Sequence, residues 1–526
     1  MRSTQSDYAA TQYIFGPRAP VARRRVSSTA SACTAVAALA ALLISAAQHA
    51  DARVSSQEAF ASVTRFVQDI SGPDPFGGCG FGNPAGAGSE TSPVLAVDPK
   101  DSRNMIAYYI QDDQSGTVAS VSHDGGRTWA QVVIPGQTLC NGGSRQEPNT
   151  YPISALDQGV SFGKDGTAYI SNMVADVILC DGSNPSCGSE DFPLFDIRWR
   201  LQANYSTDKG DTWSDPVDVD IAGVYPHLAL DAPAITGDPT RRKTAYLNWD
   251  RPMDFVVGGH SDEMFSKTTD GGATWSTPAI LPIPAGPDDF FIGGVIHVLP
   301  DGTLVSTYVR HPNNVFPPPA TFELIRSGNA GRTWSTPIHI ADAPASLLLD
   351  PDTLDILNRG NDTPGQPTYA VGPEGELYGT WGLIDSPTSS RILIVKSKNG
   401  GRTWSTPRAL KVSNSQAFKP TIAVTEAGTI GVTYFDFRND VPGDQELTTD
   451  VWFSSSTDGG MTWVETHVYG PFDYRAIPTS GGNAVSIGDT FGLVATDRND
   501  FGAVFPATLS DQTNGVTDIF FALIGR

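Results

Sequence analysis

One octapeptide recurs six times in this chain, at 122–129, 206–213, 268–275, 327–334, 397–404 and 456–463, with the pattern S/T-x-D/N-x-G-x-T-W. Six of the ten tryptophans end a copy, at successive separations of 84, 62, 59, 70 and 59 residues. A feature repeated at this interval marks one supersecondary unit used over and over. Each copy reads as a turn. Asp124, Asp208, Asp270 and Asp458, or Asn329 and Asn399, can accept backbone N–H bonds across the loop. The glycine supplies positive φ, threonine re-enters the β region, and tryptophan turns inward as an apolar plug. Six copies of one turn are scaffold, so these aspartates are not taken as catalytic.

A second repeat counts the units independently. Hairpins of apolar strand, glycine-containing turn and aromatic-rich strand occur at 93–109, 153–171, 228–249, 291–309, 368–381, 420–435 and 491–505. That is seven, one more than the octapeptides. The last is followed by a single strand, 517–524, and the chain then ends. Four strands of about six residues plus turns fill the observed period, which is the content of one propeller blade. The expected fold is an all-β propeller of four-stranded blades, seven favoured over six. Residues 62–68 would supply the missing strand of the last blade and close the ring, leaving no exposed edge.

Composition narrows the function. Lys+Arg number 35 against 57 Asp+Glu, a formal charge of −22. Such a chain has no basic patch to exchange for phosphate counterions, which excludes a nucleic-acid partner. At the N-terminus Arg18, Arg23, Arg24 and Arg25 precede an apolar run at 30–47, followed by Ala50-Asp51-Ala52. This reads as a signal peptide, 1–52, cleaved to leave residues 53–526 as one domain in a secreted or periplasmic protein. The alternative is a single membrane anchor. Beyond the leader lie Cys79, Cys140, Cys180 and Cys187, an even number suited to an oxidising compartment. Four cysteines allow three pairings, of which Cys79–Cys140 and Cys180–Cys187 are preferred. Zinc is the rival reading, but the spacing matches no zinc pattern and no His lies nearby.

The octapeptide resembles the Asp-box (BNR) motif of sialidases and related secreted β-propellers. The resemblance covers nearly all of the chain after the leader. It implies that each box sits at the turn between the third and fourth strands of a blade. It also implies an active rim on the opposite side, formed by second-to-third loops and blade-to-blade links. Sialidases have six blades, so seven is a departure, and the Arg-Ile-Pro string they carry before their first box is absent here. Residues 90–98 stand in that place. The chain looks more like bacterial secreted BNR proteins with a tyrosine/aspartate/arginine segment, here Tyr434-Phe435-Asp436-Phe437-Arg438, and a late Gly488-Asp489.

On the rim so defined, the loops carry Asp112, Asp113, Arg251, Arg310, Asp385, Asp436 and Arg438. The links carry Glu90, Glu147, Asp157, Asp231, Asp288, Asp289, Arg359 and Asp489. Arginine forks bind carboxylates in bidentate fashion, which an acidic sugar would exploit. A sialidase requires three such arginines, an Asp acid/base and a Tyr nucleophile activated by Glu. The resemblance therefore assigns Arg310, Arg359 and Arg438, with Arg251, to substrate binding, and Asp112, Asp436 and Tyr434 to catalysis. Tyr474 is the alternative nucleophile, and Glu147 or Glu446 would be the tyrosine's partner. The expected function is a secreted, cofactor-free glycoside hydrolase of exo-sialidase type acting on terminal acidic sugars of glycans, as a monomer. The alternative is a non-catalytic propeller that binds glycan or protein at its rim. Arginines converging on one pocket favour the enzyme, and arginines consumed in separate ion pairs favour the binding module. Structural calcium at Asp-rich links such as Asp98-Pro99-Lys100-Asp101 is conceivable chemically, but no EF-hand spacing points to it.

Overall fold

The computed structural model describes residues 62–525, apart from 78, 80–87, 113, 145–146, 148, 181–194, 225–228, 253–259, 287–288, 312–318, 345–346, 356, 358–365, 478–486, 498 and 509–516. Its strands form seven four-stranded antiparallel sheets arranged as the blades of a propeller. Blade 1 comprises Glu90–Asp98, Asp101–Gln111, Gly116–Ser122 and Ala130–Val133. Blade 2 comprises Thr150–Phe162, Ala168–Leu179, Phe195–Ser206 and Val217–Val224. Blade 3 runs through Asp231–Gly237, Ala245–Pro252, Ser261–Thr268 and Ala279–Ile280. Blade 4 is Phe290–Val298, Leu304–His311, Ala320–Ser327 and Ile338–Ala343. Blade 5 is Thr368–Val371, Leu377–Ser386, Ser389–Ser397 and Arg408–Ser413. Blade 6 is Ala417–Val424, Ile430–Asp436, Thr448–Ser456 and Val464–Asp473.

Blade 7 takes Gly492–Ala495, Phe501–Thr508 and Thr517–Gly525 from the C-terminal end and Val63–Asp69 as its outer strand. The closing strand pairs Val63 with Gly525 and Asp69 with Phe520, one residue along from the span expected from sequence. This explains six boxes for seven blades. In blade 7 the third strand ends the sheet's C-terminal part and the fourth arrives from the other end of the chain, so no third-to-fourth turn exists.

The box turns have one geometry. In blade 1 the Asp124 carboxylate accepts from the Thr128 N–H at 2.9 Å and the Thr128 hydroxyl at 2.7 Å. Ser122 Oγ accepts from the Gly126 N–H at 2.9 Å. Burial raises the Asp124 pKa, but the bonds from Thr128, Ser122 and Arg127 outweigh it and hold the carboxyl down to about 2. The box tryptophans do more than plug a turn. Trp129, Trp213, Trp275, Trp334, Trp404 and Trp463 each pack into the apolar cluster between their own blade and the preceding one. The glycine belongs to the same contact. Gly126 has φ +80, and a Cβ there would lie 2.3 Å from Phe521 of blade 7. Gly331, at φ +81, would meet Phe265 of blade 3 at 2.5 Å. The repeat is therefore an inter-blade seam as well as a turn. Seven buried clusters, one per blade interface, make up the core.

A disulfide joins Cys79 to Cys140, tying the segment after the closing strand to blade 1. Cys180 is also disulfide-bonded, while Cys187 and the leader 1–52 lie outside the described residues.

The inner strands carry a further repeat. In blades 1, 2, 3, 4 and 6 the pairing of the first strand with the second is interrupted by a bulge. One residue of each bulge has positive φ: Ser92, Asp157, Ala232, Gly293 and Lys419. The next residue is Pro93, Gln158, Pro233, Gly294 or Pro420. Bulges re-aim side chains, and these turn theirs toward the propeller axis.

Candidate functional site

A cavity of about 360 Å³ lies on the axis, lined by inner-strand and link residues of all seven blades. Asp231 begins its strand and Asp489 lies in the link to blade 7, which puts this mouth on the rim opposite the boxes. Three carboxylates converge here: Asp157 from blade 2, Asp231 from blade 3 and Asp489. Asp231 Oδ1 accepts from the Ala232 N–H at 3.0 Å, and Asp157 draws on the same N–H. The Asp489 N–H donates to Ser92 Oγ at 2.9 Å, which fastens the last link to the bulge of blade 1.

Asp157 and Asp231 keep some surface open to the lumen but are otherwise enclosed by protein. Burial, then repulsion from Asp231 and Asp489, pushes the Asp157 carboxyl well above the usual carboxylate range. Burial and the charge of Asp489 raise Asp231 to about 6. Like charges crowded in one site resist ionising together, which favours the protonated forms of Asp157 and Asp231. Lys419 Nζ stands 3.9 Å from Asp489 and 5.5 Å from the centre of the Phe491 ring. Across the cavity His297 and Tyr369 meet edge to face at 5.8 Å, and burial pushes His297 down to about 4, leaving the imidazole neutral.

The residues that the sequence picked out are scattered. Tyr434 is fully buried in the cluster between blades 5 and 6, and its hydroxyl donates to Glu465. Arg438 lies 3.8 Å over Trp452, binds Glu465 at 2.6 and 3.1 Å, and also holds Asp436. A tyrosine beside a glutamate matches the pairing that the resemblance implies, though the glutamate is neither Glu147 nor Glu446. The energetics run the other way. Although burial raises it, bonds from Arg438, Tyr434 and Lys411 hold Glu465 down to about 2. A carboxylate so firmly ionised is a poor proton acceptor, while burial and the adjacent Glu465 push the Tyr434 hydroxyl upward. Asp436 is wholly buried beside Arg438.

Asp112 follows the second strand of blade 1 at φ +53 and accepts from the Gly88 N–H at 2.6 Å and from Gln111 at 3.1 Å. Arg251 pairs with Asp220, to which Trp249 also donates at 3.0 Å. Arg310 is shared between Asp289 at 2.5 Å and Glu323 at 3.0 Å. Arg359, Asp113 and Asp288 lie outside the described residues. Among the described residues, then, no arginine lines the axial cavity, and Arg251, Arg310 and Arg438 sit in separate ion pairs on blades 3, 4 and 6. Asp157, Asp231 and Asp489 stood among the rim carboxylates read from sequence, but without a role. Lys419, His297 and Tyr369 were missed. For Lys419 and Tyr369 the signal is the Lys-Pro and Gln-Pro step before an apolar run, at Lys419-Pro420 and Gln366-Pro367, shared with Ser92-Pro93 and Ala232-Pro233; His297, after Gly293-Gly294, has no such step.

Among the described residues no group of three or more His, Cys, Asp and Glu is arranged to hold a metal ion. No helix there is long and apolar enough to cross a membrane.

No family model and no curated protein matches this chain. Solved structures do resemble it. A Hadza microbial sialidase is 14% identical, with 83% of this chain and 66% of that one covered, at a TM-score of 0.41. Trypanosoma rangeli sialidase in complex with 2,3-difluorosialic acid is 12% identical over 88% of this chain and 59% of that one, at a TM-score of 0.41. The GH93 alpha-L-arabinofuranosidase of Fusarium graminearum with arabinobiose is 15% identical, covering 88% and 98%, at a TM-score of 0.42. The chain thus spans just under two thirds of the first of these proteins and less of the second. At such identities and scores nothing about chemistry follows from the likeness.

Proposed function

We propose that this propeller is a glycoside hydrolase whose reacting sugar sits in the axial cavity between Asp157, Asp231 and Asp489. The observation that carries the reading is the convergence of these three carboxylates, from three parts of the ring, with burial and the neighbouring acids raising Asp157 and Asp231. Hydrolysis of a glycoside needs a protonated carboxyl for the leaving oxygen and an ionised one for water or for the sugar carbon. Asp157, whose carboxyl burial and the neighbouring acids push well above the usual carboxylate range, is the acid in this scheme. Asp489, exposed at the mouth, supplies the carboxylate in this scheme.

The charge around the cavity favours a neutral sugar. Three Asp face one Lys, and hydroxyl groups can donate to carboxylates where a sugar acid would be repelled. An exo-sialidase activity on acidic sugars would need free guanidinium groups at the mouth, and Arg251, Arg310 and Arg438 are each already bound. That same consumption of arginines favours a second reading, a non-catalytic propeller that holds glycan at its rim. Export through the leader 1–52, a glycan partner and no cofactor belong to both readings.

The test is purified protein on a panel of chromogenic pentosides, hexosides and sialosides, with Asp157→Asn as control. Release from a neutral glycoside that falls at least about a hundredfold in Asp157→Asn supports the reading. Release only from sialosides restores the acidic-sugar function. Binding of glycan without release from any glycoside moves the protein to the second reading.

A further inference from the structure

Behind Asp231, blade 3 carries acids in a line. Asp231 is directly opposite Asp250, and Asp250 directly opposite Glu263, across the first three strands. Residues so paired project from one face of a sheet, and like charges set opposite one another destabilise it. Asp250 and Glu263 are 0% and 1% exposed. Asp250 Oδ2 accepts from the Gly293 N–H of blade 4 at 2.9 Å, and Glu263 Oε2 faces Asn248 Nδ2 at 3.4 Å. The other oxygens, Asp250 Oδ1 and Glu263 Oε1, are buried without a protein donor.

Blade 6 shows how the fold neutralises the same row when it uses cations. There Asp436 stands opposite Asp450. Arg438 holds Asp436, while His467 at 2.7 Å and Asn439 at 2.8 Å hold Asp450. In blade 3 the neighbouring cations are engaged elsewhere. Arg251 turns to Asp220, and Arg310 of blade 4 is divided between Asp289 and Glu323. His297 of blade 4 is neutral, and Lys419 of blade 6 stands by Asp489. From blade 2 and the last link come only further acids, Asp157 and Asp489. Among the described residues, what remains to cancel the charge is protons.

We propose that Asp250 and Glu263 are positioning residues for the axial site: they share a proton behind Asp231, which lets Asp231 ionise and holds the Gly293–Gly294 wall of the cavity. The inference rests on the axial site being the functional one. In this arrangement the Asp250 O–H donates to the Glu263 carboxylate while its other oxygen receives the Gly293 N–H. Burial and the charges of Glu263 and Asp231 keep Asp250 well above the carboxylate range, consistent with its being the proton's holder. The wall has no slack. A Cβ on Gly294 would lie 2.2 Å from both Asn248 Nδ2 and Glu263 Oε2, so the cavity backbone rests directly on the pair. An ionised Asp250 would instead press a second negative charge on Asp231 and drive it to stay protonated.

Infrared spectra of the full chain at about pH 8, in parent and Asp250→Asn, test this, because the carbonyl stretch of a buried protonated carboxyl is resolved from carboxylate bands. The expected difference is loss of one protonated-carboxyl band in Asp250→Asn. Asparagine keeps a donor for Glu263 and an acceptor for Gly293, so it should retain at least about a third of the parent's turnover, against about a tenfold or greater loss in Asp250→Ala. An unchanged carboxyl band, or Asp250→Asn as impaired as Asp250→Ala, overturns the proposal. The band needs no turnover. A parent that releases no sugar therefore refutes the hydrolase and leaves the shared proton to the difference spectrum, while an active parent whose carboxyl bands Asp250→Asn leaves unchanged refutes the shared proton alone. Should Asp250→Ala not fold, the band in Asp250→Asn decides.

Discussion

Replacing both buried acids of blade 3 by amides, Asp250→Asn with Glu263→Gln, should change how stability depends on pH. Burial raises Glu263 from the ordinary 4.5 to about 7. The folded state therefore keeps a proton that the unfolded chain has released, and stability falls as pH rises between those two values. A shift of this size corresponds to about 3 kcal/mol, present below the unfolded pKa and lost by the folded one. Asp250, displaced the same way, extends the loss to higher pH. The amide pair does not titrate, so the doubly substituted protein lacks this slope while sharing every other one with the parent. Unfolding entropy scales with length, and for a ring of this size roughly 1 °C of Tm accompanies each kcal/mol. Calorimetric Tm values at about pH 5 and pH 8 should show the parent losing about 3 °C more than the variant. Parallel losses would refute the reasoning, because they would mean that neither carboxyl holds a proton the unfolded chain gives up.

Three further outcomes follow from the geometry. Asp208→Ala removes acceptors for the Thr212 N–H at 3.0 Å and hydroxyl at 2.5 Å and should cost about 1–2 kcal/mol in a denaturation midpoint, with no change in turnover. Arg200, 1% exposed, binds buried Asp176 at 2.8 and 2.9 Å, so Arg200→Met leaves that carboxylate with Arg198 alone, at 3.1 Å, and should cost about 2–3 kcal/mol, a loss that urea unfolding would register. Opening the Cys79–Cys140 bridge, across a separation of 61 residues, should lower stability by up to about 4 kcal/mol in the double serine variant, and an unchanged Tm would show the N-terminal segment to be held by other contacts.

The architecture was legible because its signals are local. A tryptophan-ended turn, a hairpin and a lone final strand each fit in a short window, and together they specify seven blades and a borrowed strand. The site was not, because ring closure makes it. Asp157, Asp231 and Asp489 come from blade 2, blade 3 and the last link, and no spacing announces that they meet. Nor could partners be read for the arginines. Arg251 finds Asp220 across 31 residues, from blade 3 to blade 2, and Arg438 finds Glu465 across 27, over the intervening strand of blade 6, so packing rather than motif makes both pairs. The tyrosine/aspartate/arginine segment drew attention for its chemistry, yet its charges serve the seam between blades 5 and 6. The acid row of blade 3 needed register too. Asp231, Asp250 and Glu263 look unrelated until the strands that carry them are laid side by side.

The most direct measurement is where a sugar lies in a crystal of this protein soaked with the neutral monosaccharide released most readily from the glycoside panel, or bound most tightly if none is released. The account requires density in the axial cavity, within hydrogen-bonding reach of Asp157, Asp231 and Asp489. Sugar seated on the box rim or a blade flank, with that cavity holding only water, would contradict it.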